Sequence, residues 1–171
     1  MDDADRRDWR LYSKGDQGAV EKIYARHRQH LLKYCVYVTK CHETGEEIVQ
    51  ETFLKLMEQK EQLVIQSSLK DWLFICARNL CFNHLSKAKR QDTMVESFTE
   101  QLPGVTNELA AFVNRVLGQL SPEERDLILM REQESYTIAE MATLLEISEE
   151  AVRVRLYRVR KKMQEIGKEY R

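Results

Sequence analysis

Six basic side chains, Arg153, Arg155, Arg158, Arg160, Lys161 and Lys162, fall within residues 151–163, and no acid interrupts them. The whole chain carries a formal net charge of −1, so this concentration is local. Guanidinium groups at such spacing suit recognition of nucleic acid. An Arg that reaches a base edge can grip guanine O6 and N7 as a fork, while more distal Arg and Lys bind phosphate. Val154 stands among them, and an outward valine can touch a thymine methyl. A solvated basic face on a helical hairpin is the plainer reading of charge alone. The elements that carry these residues decide between the two.

Other candidates for chemistry are weaker. Cys35, Cys41, Cys76 and Cys81 contain no CxxC pair. Cys81 and His84 lie at i, i+3, and Cys41 adjoins His42, which allows a zinc site to be weighed. Small buried apolar residues are the better reading of these thiols. No nucleophile–base pair, Gly-rich phosphate loop or paired catalytic acid stands out. Glu123-Glu124 and Glu149-Glu150 suit helix N-termini, where acids are favourable. The expectation is a protein with no active site, no cofactor and no metal.

The positioning elements are helical. Hydrophobic content is 43%, enough for a core, and only six Gly and two Pro are available for turns. The fold class expected is all-α, with two small helical domains joined by a linker. No apolar run approaches ~18 residues, and the opening "MDDADRRDWRLYSKGD" has no apolar signal core. We therefore expect no membrane insertion, no export and a cytoplasmic location. With a pI near 6.5, the chain should bind DNA weakly on its own and needs a partner.

A first helix should start near Asp16, with Val20, Ile23, Tyr24, Leu31, Tyr34, Cys35 and Val38 inward. Thr44 and Glu47 have the spacing of a capping box opening a second helix, with Ile48, Phe53, Leu54, Leu56 and Met57 as its apolar positions, mostly on one broad face. "EQKEQLVIQSS" reads as a loop. Ser67 or Ser68 can cap a third helix whose stripe is Leu69, Trp72, Leu73, Cys76, Leu80 and Asn83/His84, ending in a basic tail. Boundaries follow at 1–92 for the first domain, 93–106 for the linker, closed by Pro103-Gly104, and 107–171 for the second domain. In the latter, Leu109, Phe112, Val113, Val116 and Leu117 form a helix. Ser121-Pro122-Glu123-Glu124 is a strong helix start, and Thr137 with Glu140 is another.

The stretch "YTIAEMATLLEISEEAVRVRLYRVRKKM" then reads as a helix-turn-helix. Residues 138–145 form its short first helix, residues 146–148 the turn, and Ser148 caps the second. Ala142 is small at the crossing and Ile147 fills the angle. Val152, Leu156, Val159 and Met163 make one buried seam. Glu150, Val154, Tyr157 and Lys161 face solvent, with Arg153 and Arg160 on one flank and Ala151, Arg155, Arg158 and Lys162 on the other. In such a motif the N-terminal half of the second helix enters the major groove.

"LSPEERDLILMREQESYTIAEMATLLEISEEAVRVRLYRVRKKM" resembles the C-terminal domain of extracytoplasmic-function (ECF) sigma factors. "GDQGAVEKIYARHRQHLLKYC", "GEEIVQETFLKL" and "DWLFICARNLCFNHLSKAKR" resemble the family's N-terminal domain in order and spacing. The resemblance spans roughly residues 12–165. It implies a transcription initiation factor that binds core RNA polymerase through the β′ clamp helices and the β subunit, selects −10/−35 promoter DNA and helps melt the −10 segment. It implies polymerase contacts from Glu46, Glu47, Gln50 and Glu51. It implies −10 DNA contacts from Asn79, Asn83, Lys87, Lys89 and Arg90, with a flipped-base pocket near residues 63–70. It implies −35 contacts from Ser148, Glu150, Ala151, Arg153, Val154, Arg155, Tyr157 and Arg158. An anti-sigma factor is an implied partner, and no stable homo-oligomer is expected. Phe53 and Trp72 read as core residues.

The chain departs from the family pattern at Glu146, where a turn Gly is frequent. Ala151 and Val154 replace frequent Thr and Ser, and Asn83 and Ser86 replace common Asp and Arg. Ala151 and Val154 offer no hydroxyl to DNA, which bears on base preference. Two other classes compete with this reading. A stand-alone helix-turn-helix repressor should dimerise on a palindrome. A metal or redox sensor would use Cys41, Cys76, Cys81 and His84.

Overall fold

The computed structural model describes residues 3–59, 68–90 and 108–169, apart from the side chains of residues 109 and 110. The expected linker, and the larger part of the expected loop pocket, lie outside the described residues. The chain divides into two compact units, Met1–Ser97 and Phe98–Arg171. Among the described residues there are eight helices and no strand.

The first unit holds α1 (Asp3–Ser13), α2 (Gln17–Thr39), α3 (His42–Glu58) and α4 (Leu69–Arg90). α2 packs against the other three, and α3 also packs on α4. Ile23, Leu31, Tyr34, Cys35 and Val38 point inward from α2, as their spacing predicts. The Tyr34 and Phe74 rings meet at 4.7 Å between centroids, and Tyr24 meets Phe53 at 4.8 Å. Such edge-on and tilted aromatic pairs add to simple area burial. Phe53 is in the core.

Three local expectations change. The Thr44–Glu47 capping box does not form, because α3 starts earlier, at His42 with Cys41 as N-cap. Lys40 adopts φ 59° and donates its N–H to Val36 O at 2.8 Å. That left-handed residue ends α2 and turns the chain at once, so Thr44 already lies in helical turn. Leu54 is 54% exposed, about a quarter-turn round α3 from the buried Phe53. On α4 the buried seam is Leu69, Leu73, Phe74, Ala77 and Cys81. Trp72, Cys76 and Leu80 are half-buried at its margin, and Asn83 and His84 are exposed. Ser68 does cap this helix, accepting the Asp71 N–H at 2.9 Å.

Gly45 marks the closest approach of α2 and α3. A Cβ there would meet Val36 Cγ2 at 2.7 Å and Val36 N at 3.3 Å. Val36 is buried and β-branched, so it cannot swing aside. Ala normally stabilises a helix interior over Gly by about 1 kcal/mol, whereas overpacking costs about 1–3 kcal/mol. At 2.7 Å the contact is closer than real Cβ atoms make, so the overpacking cost falls toward the upper end of that range, and after the helix-propensity gain Gly45→Ala should lower stability by up to about 2 kcal/mol. Urea unfolding of the full chain checks this; a variant as stable as the parent would refute the close-approach argument.

α1 has no counterpart in the sequence reading, which treats the N-terminus only as charged. Its inward positions are Asp5, Asp8 and Tyr12, all buried. Arg26 of α2 bonds both carboxylates, and His27 Nε2 lies 2.9 Å from each oxygen of Asp5. α1 is thus docked by the buried Tyr12 ring together with ion pairs to two buried carboxylates. The Arg26 hydrogen bond holds the Asp8 carboxyl below its ordinary range against the opposing push of burial. A depressed carboxylate stabilises the fold above its unfolded pKa of about 3.9 and loses that contribution as pH falls through the folded value. α1 should therefore undock on acidification below about pH 4, read as faster hydrogen exchange of its amides. Asp8→Asn should flatten that acid dependence; an unchanged profile in the variant would rule Asp8 out as its source.

The second unit holds α5 (Glu108–Gly118), α6 (Pro122–Glu132), α7 (Ile138–Leu145) and α8 (Glu149–Glu169). α5, α6 and α7 all pack on α8. Both expected capping boxes form. Ser121 Oγ accepts the Glu124 N–H at 3.1 Å while Glu124 accepts the Ser121 N–H at 2.8 Å. Thr137 and Glu140 repeat the exchange at 3.2 and 2.7 Å. Arg125 is buried at 3% exposure and donates to Leu120 O at 2.8 Å. Burial pushes its guanidinium down to about 10, partly opposed by Glu123 and Glu124, so it stays charged at neutral pH.

Candidate functional site

The helix-turn-helix forms with the expected bounds. α7 ends at Leu145, and Glu146 takes the left-handed conformation with φ 53° and ψ 42°. This is the backbone geometry that favours glycine, which accounts for a Gly being tolerated at such a turn. Ile147 donates its N–H to Ala142 O at 3.1 Å, and Ala142 is buried at the crossing. Ser148 Oγ then accepts the Ala151 N–H at 3.1 Å, capping α8.

On α8, Val152, Leu156 and Val159 are buried. Met163 is only half-buried, and Ile166 is the buried residue of the last turns. The opposite stripe of Glu150, Val154, Tyr157 and Lys161 is exposed, with Val154 at 41% and Tyr157 at 68%. Ser148 is exposed and Ala151 half-buried. The whole set of expected −35 residues therefore lies on one helix and its cap.

The six bases are not equivalent. Arg153 pairs with Glu149 at 2.6 Å, Arg160 with Glu132 of α6 at 2.7 Å, and Lys162 with Glu124 of α6 at 2.6 Å. Burial raises the Glu124 carboxyl, but Lys162 and the Ser121 N–H outweigh it and hold the group below its ordinary range. Among the described residues, Arg155, Arg158 and Lys161 have no ion-pair partner. The unneutralised charge is therefore concentrated at three residues, two of them in the first half of α8. Sequence reading missed the cross-helix pairs, since their members are 28 and 38 residues apart.

In the first unit, Asn79, Asn83, Lys87, Lys89 and Arg90 are all exposed. Asn79, Asn83, Lys87 and Arg90 recur at steps of four, four and three, on the face of α4 away from its buried seam. Lys89 lies off that stripe. Arg90 Nε donates to Ser86 O at 3.3 Å, which lays the guanidinium along the helix end.

On α3, Glu47, Gln50 and Glu51 are exposed, and Glu46 is half-buried. Glu46 pairs with Arg28 of α2 at 3.1 Å, and Glu51 with Lys55 at 3.5 Å. Leu54 shares the outward face of Glu47, Gln50 and Glu51 at helical spacing. It departs from the broad apolar face on which most of the apolar positions of this helix were expected. The Phe53-Leu54 pair was the available signal, because adjacent positions on a helix point about 100° apart.

All four thiols are free, Cys35 and Cys81 buried and Cys41 and Cys76 half-buried. Cys81 is fully buried while His84 is exposed. Burial pushes the Cys76 thiol up, away from the thiolate that metal binding and redox chemistry need. Among the described residues no group of three or more His, Cys, Asp or Glu is arranged to hold a metal.

Residues 23–91 match the family model described as Sigma-70 region 2, and residues 113–163 match Sigma-70, region 4. The chain is also 30% identical over 185 residues to the ECF RNA polymerase sigma factor SigG of Mycobacterium tuberculosis. The chain belongs to the ECF sigma factors. The SigG match covers 90% of this sigma factor and 49% of SigG, so the chain spans about half the length of that relative. SigL of the same organism is 28% identical over 162 residues, covering 86% of the chain and 90% of SigL. Among solved structures, the sigma factor RpoE in complex with the anti-sigma factor NepR from Bartonella quintana superposes with a TM-score of 0.72. It is 21% identical, and the match covers 86% of this chain and 96% of that one. At that identity the likeness speaks for the shared fold. No described helix is long and apolar enough to cross a membrane.

Proposed function

We propose that this sigma factor binds core RNA polymerase, directs it to promoters with −10 and −35 elements, and helps melt the −10 DNA. The observation that carries the reading is the succession of regions 2 and 4 in one chain, each with its polar stripe exposed opposite its core. Glu46, Glu47, Gln50 and Glu51, with the exposed Leu54, meet the β′ clamp helices; an acidic rim around one apolar side chain suits a basic helical partner. Asn79, Asn83, Lys87, Lys89 and Arg90 track the melted −10 strand, where single-strand binding needs a basic groove. Ser148, Glu150, Ala151, Arg153, Val154, Arg155, Tyr157 and Arg158 address the −35 element. Polymerase, contacting the second unit through its β subunit, supplies most of the non-specific affinity that a chain of net charge −1 lacks. The protein works in the cytoplasm as one copy per polymerase, and an anti-sigma factor, such as the one bound to RpoE, restrains it.

Run-off transcription tests this. Core polymerase plus the chain, supplied with promoter fragments from its own genome, should give discrete transcripts that core alone does not. A chain that neither binds core nor yields transcripts overturns the proposal and favours a repressor.

A further inference from the structure

We infer that the outward stripe of α8 reads a pyrimidine pair in the upstream promoter element: Glu150 takes a cytosine, and Val154 with the adjoining Tyr157 ring takes a thymine on the same strand. This rests on the DNA-binding reading of α8 given above.

The centre of the exposed stripe is not basic. Its first three members are a carboxylate, an aliphatic side chain and a phenol, and Lys161 arrives only three turns in. The arginines stand on the flanks of that stripe, exposed on either side of it. Val154 and Tyr157 are the large apolar side chains that α8 exposes, one turn apart. In the major groove the thymine C5-methyl is the apolar feature that such a pair can cover.

Glu150 narrows the choice further. Its neighbour Glu149 is bonded to Arg153 at 2.6 Å, but Glu150 has no ion-pair partner among the described residues and is exposed. An ionised carboxylate only accepts hydrogen bonds. It is repelled by guanine, whose major-groove edge offers acceptors, and it suits the cytosine N4 donor. Glu150 and Val154 are about 6 Å apart along the helix axis, and successive bases on a strand are about 3.4 Å apart. The cytosine and thymine therefore lie one or two steps from each other.

The test is selection from a promoter library randomised across the upstream element, using the full chain bound to core polymerase. The parent should enrich a motif with a cytosine and a thymine one or two steps apart on one strand. Val154→Ala should lose the thymine preference and keep the cytosine; Glu150→Gln should lose the cytosine and keep the thymine. Both side chains are exposed, and circular dichroism should show unchanged folding. Replacing the selected thymine by deoxyuridine removes one methyl, which should weaken parent binding about fourfold and leave V154A binding unaffected. An enriched motif lacking this pair, or equal binding of the deoxyuridine and thymine probes by the parent, overturns the inference while leaving promoter recognition intact. Failure of the parent to enrich any motif overturns promoter recognition itself, and the inference with it.

Discussion

Leu156→Ala will destabilise the C-terminal unit by about 2–5 kcal/mol. Leu156 is 2% exposed and sits between Val152 and Val159 on the seam through which α8 meets α5, α6 and α7. Truncation removes the transfer free energy of the deleted methyl groups and leaves a cavity that the helices close only partly. A domain this small has a net stability of roughly 0.05–0.15 kcal/mol per residue, so one such cavity removes a large share of it. Urea unfolding of the full chain, with hydrogen exchange at α6, α7 and α8 to identify the unit, measures the effect. The expected result is an earlier transition confined to those helices. A loss below about 1 kcal/mol would mean that the α8 seam is not the organising feature of this unit.

Reversing Arg155 and Arg158 together to Glu will weaken promoter binding by the polymerase-bound chain at least about 30-fold, since two such side chains contribute about 1–3 kcal/mol each. These two guanidiniums are exposed and have no ion-pair partner among the described residues, so their charge is available to phosphate or a base edge. The slope of log affinity against log salt should also become shallower by about 0.9 for each phosphate that is no longer neutralised. Arg160 provides the internal comparison. Its guanidinium is already held by Glu132, and Arg160→Gln should cost only a few-fold in affinity. Equal losses from the Arg160 variant and the double reversal would show that the ion pairs do not sort these bases. Thermal melts should place the double reversal close to the parent, because exposed side chains contribute little to stability.

Both expectations depend on features of different legibility. The capping boxes at Ser121–Glu124 and Thr137–Glu140, the Ser148 cap and the inward seam of α8 were all readable, because each is a relation between residues within a few positions of one another. Thr44 and Glu47 have the same spacing and do not form a box. What differs is the preceding turn: Lys40 goes left-handed and Gly45 lets α3 lie hard against Val36, so the helix starts early. A three-residue pattern carries no information about that approach.

α1 was missed because hydrophobic periodicity cannot register a helix whose inward face holds Asp5 and Asp8. Those acids can be buried only because Arg26, 21 and 18 residues along the chain, supplies the matching charge. Phe53 and Leu54 are both apolar, and only the packing of α3 on α2 and α4 shows which of the two enters the core.

The sequence by itself determined the helices of both units apart from α1, the helix-turn-helix and the family, since caps, helical periodicity and motif order are local or serial properties of the chain. The tertiary structure alone decided which of the six bases on α8 remain free, which carboxylates are buried and which apolar residue faces out. Those outcomes depend on Coulombic and packing interactions between residues far apart in sequence. Their energies depend on distance in space, and no spacing along the chain encodes it.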